Sequence, residues 1–355
     1  MKRASCRTQA LWKHHPVCGR GNAEHIAVVP GGAKNRLSSG DTRRLSMHTS
    51  ATHRRADIAG IVSLLVTVLF FASIPVFLKF LALRLDGWTV NGVRYSIAAL
   101  FWAPWVLRGG RGRLQMLFAS ALPAALVNMC GQTCWALSAY HNDAGVMGFM
   151  ARLSFAFTVL FSYLLLPGER SLLRSRPFWL SVAVIAAGML VFYRAGASLG
   201  RTSRLGMALL LATAVCWGMY SVLVRQRMSA YPPWLSFGAV SLITAPGLLV
   251  MLFLFGDWRA LTVIPWSDWM LLVSAALVGI TFGHALLYRA IRGLGAVAAE
   301  GGLLAMPFAT AAMAALALHE RLSPGQWTGG IIVLAGCALL LRTRVAVSLQ
   351  DEGQS

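Results

Sequence analysis

Long apolar stretches with almost no charge recur along the whole chain and determine its architecture. They lie at about 59–83, 87–107, 114–140, 144–166, 177–193, 205–224, 235–256, 267–288, 295–318 and 324–341. A helix that spans a bilayer needs about 20 apolar residues, and most of these stretches reach that length. The pattern therefore predicts an all-α polytopic membrane protein with ten transmembrane helices, of which the second contains Arg94 and the fifth is short.

Two polar segments flank the predicted spans. Residues 1–57 are rich in Arg, Ser, Gly and His, and they lack the apolar core of about 7–15 residues that a signal peptide requires. We interpret this segment as a disordered basic cytoplasmic tail or as the product of an over-long translation start, with Met47 as the alternative initiator. A basic tail is also suited to contact with anionic lipid. Residues 343–355 are predicted to form a C-terminal tail.

The composition fits a protein whose main solvent is lipid. Apolar residues make up 57% of the chain and charged residues only 12%, whereas a soluble domain has about 25% charged residues. These values exclude an intrinsically disordered chain and a disulfide-stabilised secreted domain. Cys130 and Cys134 would share a helix face, but no histidine or second cysteine pair nearby completes a zinc site. We therefore predict no metal and no cofactor.

The net charge of +20 is explained by membrane topology rather than by a nucleic-acid partner. Residues 1–57 contain 11 of the 32 Lys and Arg residues, and most of the others lie in gaps between apolar stretches. If the N-terminus is cytoplasmic, the inner gaps and the C-terminal end hold 12 arginines and the outer gaps hold 6. The positive-inside rule then places both termini in the cytoplasm.

The two halves of the predicted bundle resemble each other in sequence. Similar residues recur at a period of 146 to 151 positions, for example Gly60 and Gly206, Lys79 and Arg225, Glu169-Arg170 and Glu320-Arg321, and Gly188 and Gly336. Two five-helix repeats, at 58–194 and 205–342, explain this period. Because five is odd, the second repeat enters the membrane from the opposite side. Inverted repeats of this kind are typical of secondary transporters, whose substrate site lies at the repeat interface near the midplane.

Five short motifs occur near the ends and breaks of the predicted spans. They are Val93-Arg94-Tyr95, Leu166-Pro167-Gly168-Glu169-Arg170, Leu287-Tyr288-Arg289-Ala290, Met306-Pro307-Phe308 and Leu318-His319-Glu320-Arg321. In this order they resemble an EamA-type permease of the drug/metabolite transporter superfamily, over roughly residues 58–342. The resemblance implies two inverted EamA-like halves, an inner-membrane location, and export or uptake of small metabolites by alternating access.

The two repeats differ at one helix break. Pro307 interrupts the ninth span, whereas Ala156 occupies the matching position of the fourth span. If Pro307 loosens the ninth span so that it serves as a gate, the fourth span should be the stiffer helix. We then expect the two halves to share the motion unequally.

Two titratable residues lie inside predicted spans on the inner side. Glu300 is the only one of 12 acids well inside a span, and His284 is the only one of 8 histidines. An ionisable residue within the membrane is costly unless it is paired or hydrated, and is therefore a functional candidate. One hypothesis is a His284–Glu300 pair that takes up or releases a proton, because histidine titrates near neutral pH. The alternative is that Glu300 neutralises Arg289 or Arg292.

Three cations, Lys79, Arg94 and Arg152, lie inside the predicted spans toward the outer half. Lys79 and Arg94 are close enough to helix ends to snorkel to the interface. Arg152 lies about two turns deep and is the leading candidate for anchoring a substrate. Three positive groups against one negative group favour an anionic or zwitterionic metabolite, held through its carboxylate, over an organic cation.

Further polar and aromatic residues near the midplane are candidates for lining the same cavity. They are Asn128, Gln132, Trp217, Tyr220 and Tyr288. Each has a structural explanation as well, since Asn and Gln hydrogen-bond neighbouring helices and aromatic residues fill cores or interfacial belts. The predicted substrate-binding set comprises these five residues together with Arg152 and Arg94.

The sequence as a whole predicts a secondary active transporter, and specifically an exporter, for a metabolite of the amino-acid or organic-acid class. The chain contains no Walker motif, so we do not expect ATP to be the direct energy source. It also contains no metalloprotease or hydrolase motif that would support an enzyme. A small-multidrug-type cation exporter is the alternative carrier, although residues 59–78 contain no acid. The alternative that is not a carrier is a non-transporting membrane scaffold or a lipid scramblase. The expected partners are the metabolite and the lipid bilayer, and a homodimer is left open.

Overall fold

The computed structural model describes residues 57–74, 77, 80–81, 83–138, 141–142, 150–196, 203–318 and 323–353. The predicted N-terminal tail lies outside these residues except for Asp57. Lys79 and the Glu320-Arg321 pair also lie outside them. The main helices of the described chain are α1 (Asp57–Ile74), α2 (Gly87–Leu107), α3 (Arg111–Ser138), α4 (Ser154–Leu165), α5 (Arg176–Gly196), α6 (Arg204–Leu223), α7 (Pro233–Phe255), α8 (Trp266–Leu294), α9 (Ala296–Leu303 and Met306–Leu318) and α10 (Pro324–Gly353).

Eight of these helices are long and apolar enough to cross a membrane by themselves. The other two are α2, whose Asn91 and Arg94 lower its hydropathy, and α4, which has 12 uninterrupted residues. Large apolar side chains such as Leu100 and Leu316 point outward, as expected for helices that face lipid. The chain is a multi-pass helical membrane protein, and the total of ten spans stays a prediction.

Helices that the repeat makes equivalent pack against each other in antiparallel pairs. A Cβ added to Gly92, early in α2, would meet Leu252, late in α7, and one added to Gly238, early in α7, would meet Val106, late in α2. The same crossing relates α5 to α10, the pair with the most extensive contact among the described helices. A twofold axis that exchanges antiparallel helices must lie at right angles to them. The packing therefore supports the predicted inversion of one half relative to the other.

The fourth and ninth helices are both interrupted, at positions that correspond in the repeat. In α9 a turn at Leu304 and Ala305 separates the two parts, and the N–H of Leu304 donates to the carbonyl of Gly301 at 3.2 Å. Just before α4, a turn at Arg152 and Leu153 has the N–H of Leu153 donating to Met150 at 3.0 Å. A tight turn thus occurs at both places, with a proline close by in α9 and without one before α4, and the expectation that the fourth span is the stiffer one stays a prediction.

The C-terminal segment is helical where the sequence predicted a tail. α10 continues without a break to Gly353, beyond the predicted boundary at residue 342. Residues 343–352 contain no Gly or Pro, so nothing in the chain stops the helix where its polar residues begin. Ser348 in this extension donates a hydrogen bond to Asp57 at the start of α1, with 3.4 Å between the oxygens. The start of α1 and the C-terminal part of α10 thus meet at one end of the bundle.

Polar contacts close the opposite end of the bundle, between α1 and α2. The carboxylate of Asp86 caps α2, since it accepts hydrogen bonds from the N–H groups of Trp88 at 2.8 Å and Thr89 at 2.9 Å. It also accepts one from the N–H of Asp257, which follows α7, at 2.9 Å. Asp86 therefore ties the beginning of α2, in the first half, to the segment that follows α7, in the second half.

Asp86 should make the stability of this end depend on pH. Burial raises its pKa, but hydrogen bonds from the Thr89 side chain and from three backbone N–H groups outweigh burial, so the pKa lies below its usual 3.8. A depressed folded pKa gives stability at higher pH that is lost as the pH falls through the folded value. We expect Asp86→Asn to lower the thermal unfolding midpoint at pH 7, and the difference from wild type to shrink below about pH 4. A difference that is the same at pH 3 and pH 7 would contradict this role.

Candidate functional site

Arg94 lies within the bundle and has no ion-pair partner among the residues that the structure describes. It is only 6% exposed, and it makes no hydrogen bond or ion pair with any residue that the structure describes. The expectation that Arg94 snorkels to the interface is therefore wrong. A buried guanidinium without a carboxylate partner is costly, so its retention marks this place as a candidate site for an anionic group.

α2 and α3 contribute a polar network next to Arg94. The side-chain amide of Asn128 donates to the hydroxyl of Tyr95 at 3.0 Å, and the amide of Asn91 donates to Gln132 at 3.5 Å. Tyr95 and Asn128 are almost fully buried. The structure thus brings the predicted residues Arg94, Asn128 and Gln132 into one region, to which Tyr95 and Asn91 also belong.

α8 approaches Arg94 through a stretch of π-helix. The stretch covers Ala276–Gly283, and a Cβ on Gly279 would lie 3.0 Å from Nη2 of Arg94. His284 follows directly, with its Nδ1 at 3.1 Å from the carbonyl oxygen of Gly279. Segments of π-helix are frequent at functional sites. Here the missing side chain of Gly279 leaves space that Ile74 and the guanidinium of Arg94 share.

A chain of ring contacts connects the two halves of the protein through His284. The ring centroids of Tyr95 and His284 are 6.4 Å apart, those of His284 and Phe237 are 5.0 Å apart, and those of Phe237 and Tyr288 are 5.7 Å apart. The hydroxyl of Tyr288 then lies 2.8 Å from that of Tyr220. The predicted residues Tyr220 and Tyr288 therefore belong to the same connected group as Tyr95.

Glu300 continues this group on the side of α9. Its Oε1 accepts a hydrogen bond from the hydroxyl of Ser221, the neighbour of Tyr220, at 2.5 Å. The positive charge that interacts with this carboxylate is that of Arg152. Glu300 is 7% exposed, so its hydrogen bond is made inside the protein, where the charge of Arg152 is little screened.

The predicted His284–Glu300 pair is wrong as a direct contact. His284 interacts electrostatically with Arg94, whereas Glu300 interacts with Ser221 and Arg152. The alternative, in which Arg289 or Arg292 neutralises Glu300, is also wrong, because the cation that acts on Glu300 is Arg152. The reason is that Glu300 faces α6, while the His284 ring is held by its contacts with α2 and α7.

Arg152 donates a hydrogen bond to a backbone carbonyl that lacks its usual helical donor. Pro307 has no N–H, so the carbonyl of Leu303, four residues earlier, lacks its helical donor. Nη1 of Arg152 donates to that oxygen at 3.3 Å. Arg152 and Leu303 are equivalent in the 151-residue repeat, so the two helix breaks meet each other. Although Nε of Arg152 has no partner among the described residues, this cation is engaged by the protein and Arg94 is not.

A carboxylate at the end of α4 holds the beginning of α9. The buried Glu169 accepts hydrogen bonds from the N–H of Ala296 at 2.7 Å and from that of Val297 at 3.0 Å. Arg225 is 3.6 Å from the same carboxylate. Gly295 turns the chain between α8 and α9 with a φ of 92°, which favours glycine. We call these five residues the Glu169 cap; it places a negative charge at the positive N-terminus of a helix.

Sequence reasoning missed several members of this arrangement. Glu169 was visible as part of the Leu-Pro-Gly-Glu-Arg motif, and Ser221 as the neighbour of Tyr220, but Phe237 carried no signal. Trp217 lies apart from the ring contacts, because its ring packs against Trp135 at 5.2 Å where α3 meets α6. Helical period alone does not reveal such neighbours, since they come from helices far apart in sequence.

A family model matches each half of the chain separately. The model of the EamA-like transporter family covers residues 58–194 and again residues 204–342. The chain belongs to the EamA-like transporter family. The resemblance of its motifs to an EamA-type permease is thereby confirmed, and this EamA-like protein is a membrane transporter of the drug/metabolite transporter type.

The fold of this EamA-like transporter also occurs among solved structures, of which 28 chains match it. One, titled only as a crystal structure of a protein, has a TM-score of 0.63 and 18% sequence identity. The match covers 81% of this chain and 96% of that one. At this identity the likeness shows a shared fold and nothing about substrate. No curated protein matches the chain significantly.

Proposed function

We propose that this EamA-like transporter is a secondary active carrier that exports a small anionic or zwitterionic metabolite of the amino-acid or organic-acid class. It works by alternating access in the inner membrane, with ten spans and with both termini in the cytoplasm. The observation that carries the proposal is Arg94, a buried cation without a carboxylate partner in the described chain, surrounded by polar groups from both halves.

The chemistry of the residues near Arg94 suits a carboxylate-bearing ligand. A guanidinium binds a carboxylate through two parallel charge-assisted hydrogen bonds. Asn128 and Gln132 offer amide donors and acceptors for the other polar groups of the ligand. The rings of Tyr220 and Tyr288 bound the site on the second half, and we place Arg152 and Trp217 at its border.

Two features support alternating access. The antiparallel pairing of equivalent helices gives the two ends of the bundle related structures, as in carriers built from inverted repeats. The helix breaks near Arg152 and Leu304 meet at the repeat interface and provide positions at which α4 and α9 can bend. The Glu169 cap holds the end at which α1 begins and α10 runs out, so opening that end requires the cap to separate.

Glu300 is the proposed proton-coupling residue, with His284 as the second titratable group of the region. Protonation of Glu300 would remove the negative charge beside Arg152, which holds the break in α9. We expect Glu300→Gln to abolish the response of transport to an imposed pH gradient while substrate exchange continues, and His284→Gln to test whether the second group is needed. Transport by Glu300→Gln that keeps its full pH dependence would exclude coupling through this residue.

The test of the proposal is transport by the purified protein in proteoliposomes. Candidate substrates come from profiling a deletion strain over amino acids, organic acids and toxic analogues. We expect counterflow of a carboxylate-bearing compound, and export of that compound from cells. Counterflow of an organic cation alone would favour the multidrug-type alternative. Lipid scrambling without any counterflow would favour the non-transporting alternative.

A further inference from the structure

A cleft lies at the ends of α2, α3 and α7, away from the site around Arg94. Its volume is about 100 Å³, and its lining combines Arg108 and Arg113 with the rings of Trp105 and Trp234 and with apolar residues. α2 ends at Leu107 and α3 begins at Arg111, so the cleft lies where apolar spans give way to a polar connection. In a membrane protein this is the depth of the lipid headgroups.

The cleft is strongly positive. Arg108 and Arg113 form no ion pair with any residue of the described chain. Neither α3 nor α7, both of which begin beside the cleft, has an acidic residue in its first turn. The partial positive charges of the two helix N-termini therefore add to the two guanidinium groups. Nothing in the described part of this end neutralises them.

The other walls of the cleft are aromatic and apolar. Trp105 is 44% exposed and Trp234 is 37% exposed, and the ring of Trp102 lies against both, with centroid distances of 5.9 Å and 6.3 Å. The indole nitrogen of Trp102 is buried without a hydrogen-bond partner among the described residues. Leu114 and Leu117 also line the cleft. Indole rings that combine an apolar face with an N–H donor favour the boundary between headgroups and acyl chains.

We propose that this cleft binds an anionic phospholipid, with the phosphate between Arg108 and Arg113. The glycerol region lies against Trp105 and Trp234, and the acyl chains follow the outer surface, where Leu107 is 56% exposed and Met116 is 64% exposed. A free phosphate ion would use the arginines and leave the aromatic and apolar walls without a partner, so a lipid fits the whole lining. The site does not depend on which metabolite the protein transports.

The test is native mass spectrometry of the full-length protein released from detergent micelles that contain phosphatidylglycerol or phosphatidylcholine. Wild type is expected to retain at least one phosphatidylglycerol in preference to phosphatidylcholine. The double variant Arg108→Gln/Arg113→Gln should bind phosphatidylglycerol about thirtyfold more weakly, since each arginine near a membrane surface contributes about a factor of five. The matched control is Arg111→Gln, which removes a charge from the same connection outside the cleft and should retain most of the binding.

Three outcomes would overturn the proposal. Equal retention of the two lipids by wild type would show that the cleft does not select an anionic headgroup. Equal loss in Arg111→Gln and in the double variant would show a diffuse charge effect instead of a site. Displacement of the lipid by millimolar inorganic phosphate would show that the arginines bind phosphate without help from the walls. Circular dichroism of each variant shows whether its helices are retained, so that a folding defect is recognised as such.

Discussion

Replacing Arg94 by glutamine is expected to abolish transport of the anionic substrate and, at the same time, to make the protein more stable. The guanidinium is buried without a carboxylate in the described chain, and an arginine within a membrane costs about 3 kcal/mol. Its removal should therefore raise the unfolding free energy by about 1–3 kcal/mol. Loss of a bidentate, charge-assisted contact should weaken substrate binding by at least about thirtyfold. Thermal unfolding and substrate binding measured on the same purified sample give both values.

Arg152 provides the matched control, because its guanidinium donates to a backbone carbonyl. Arg152→Gln removes the donor to the carbonyl of Leu303 and the cation beside Glu300, so it should destabilise the protein by about 1–3 kcal/mol. The two variants thus differ in the sign of the stability change. If Arg94→Gln were destabilised and transported substrate normally, Arg94 would be a structural residue and the proposed substrate site would be wrong. Arg94→Lys, which keeps the charge but not the planar fork, should recover part of the binding.

The architecture of this protein is largely readable from its sequence because the bilayer restricts what a chain can do. Each span needs an apolar stretch of a fixed length, so the predicted and observed boundaries of α2 coincide at 87–107 and those of α5 differ by only a few residues. The predictions fail where this constraint ends. The extension of α10 lies past the apolar stretch, and the turn at Arg152 has no proline to announce it.

The candidate site can be predicted from the sequence only in part. A sequence shows which polar groups are costly to bury in a membrane, but it does not show which groups are neighbours in the fold. Depth along the helix suggested that Arg94 reaches the interface and that Arg152 is the stranded cation. Packing reverses their roles: the π-helical stretch at Gly279 encloses Arg94, and the break at Pro307 gives Arg152 an acceptor. His284 and Glu300 appeared to be at one depth, but α7 places Phe237 against the histidine and α6 gives Ser221 to the acid.

Replacing Glu169 by glutamine is expected to destabilise the end of the bundle at which α1 begins, and to open it. The carboxylate accepts the N–H groups of Ala296 and Val297 and pairs with Arg225. Glutamine keeps one acceptor but loses the charge that favours both the helix N-terminus and Arg225. The unfolding free energy should fall by about 2–4 kcal/mol, since one partner of a largely buried pair is removed. A cysteine reporter at Ala298, fully buried in the first turn of α9, should then react faster with a water-soluble maleimide.

The variant Arg170→Gln is the control that distinguishes a specific role of the Glu169 cap from a general effect of removing a charge at this end. Among the described residues Arg170 contacts the carbonyls of Tyr163 and Leu164 and the ring of Tyr163, all outside the Glu169 cap, so its variant should label at the wild-type rate. The cap holds the beginning of α9 to the segment that follows α4. The turn before α4 and the turn within α9 contact each other through Arg152 and Leu303. A carrier must release such a contact once per cycle, so its loss should shift the population toward the state open at this end and slow net transport. Unchanged labelling and transport in Glu169→Gln would mean that the cap fixes α9 without taking part in the cycle.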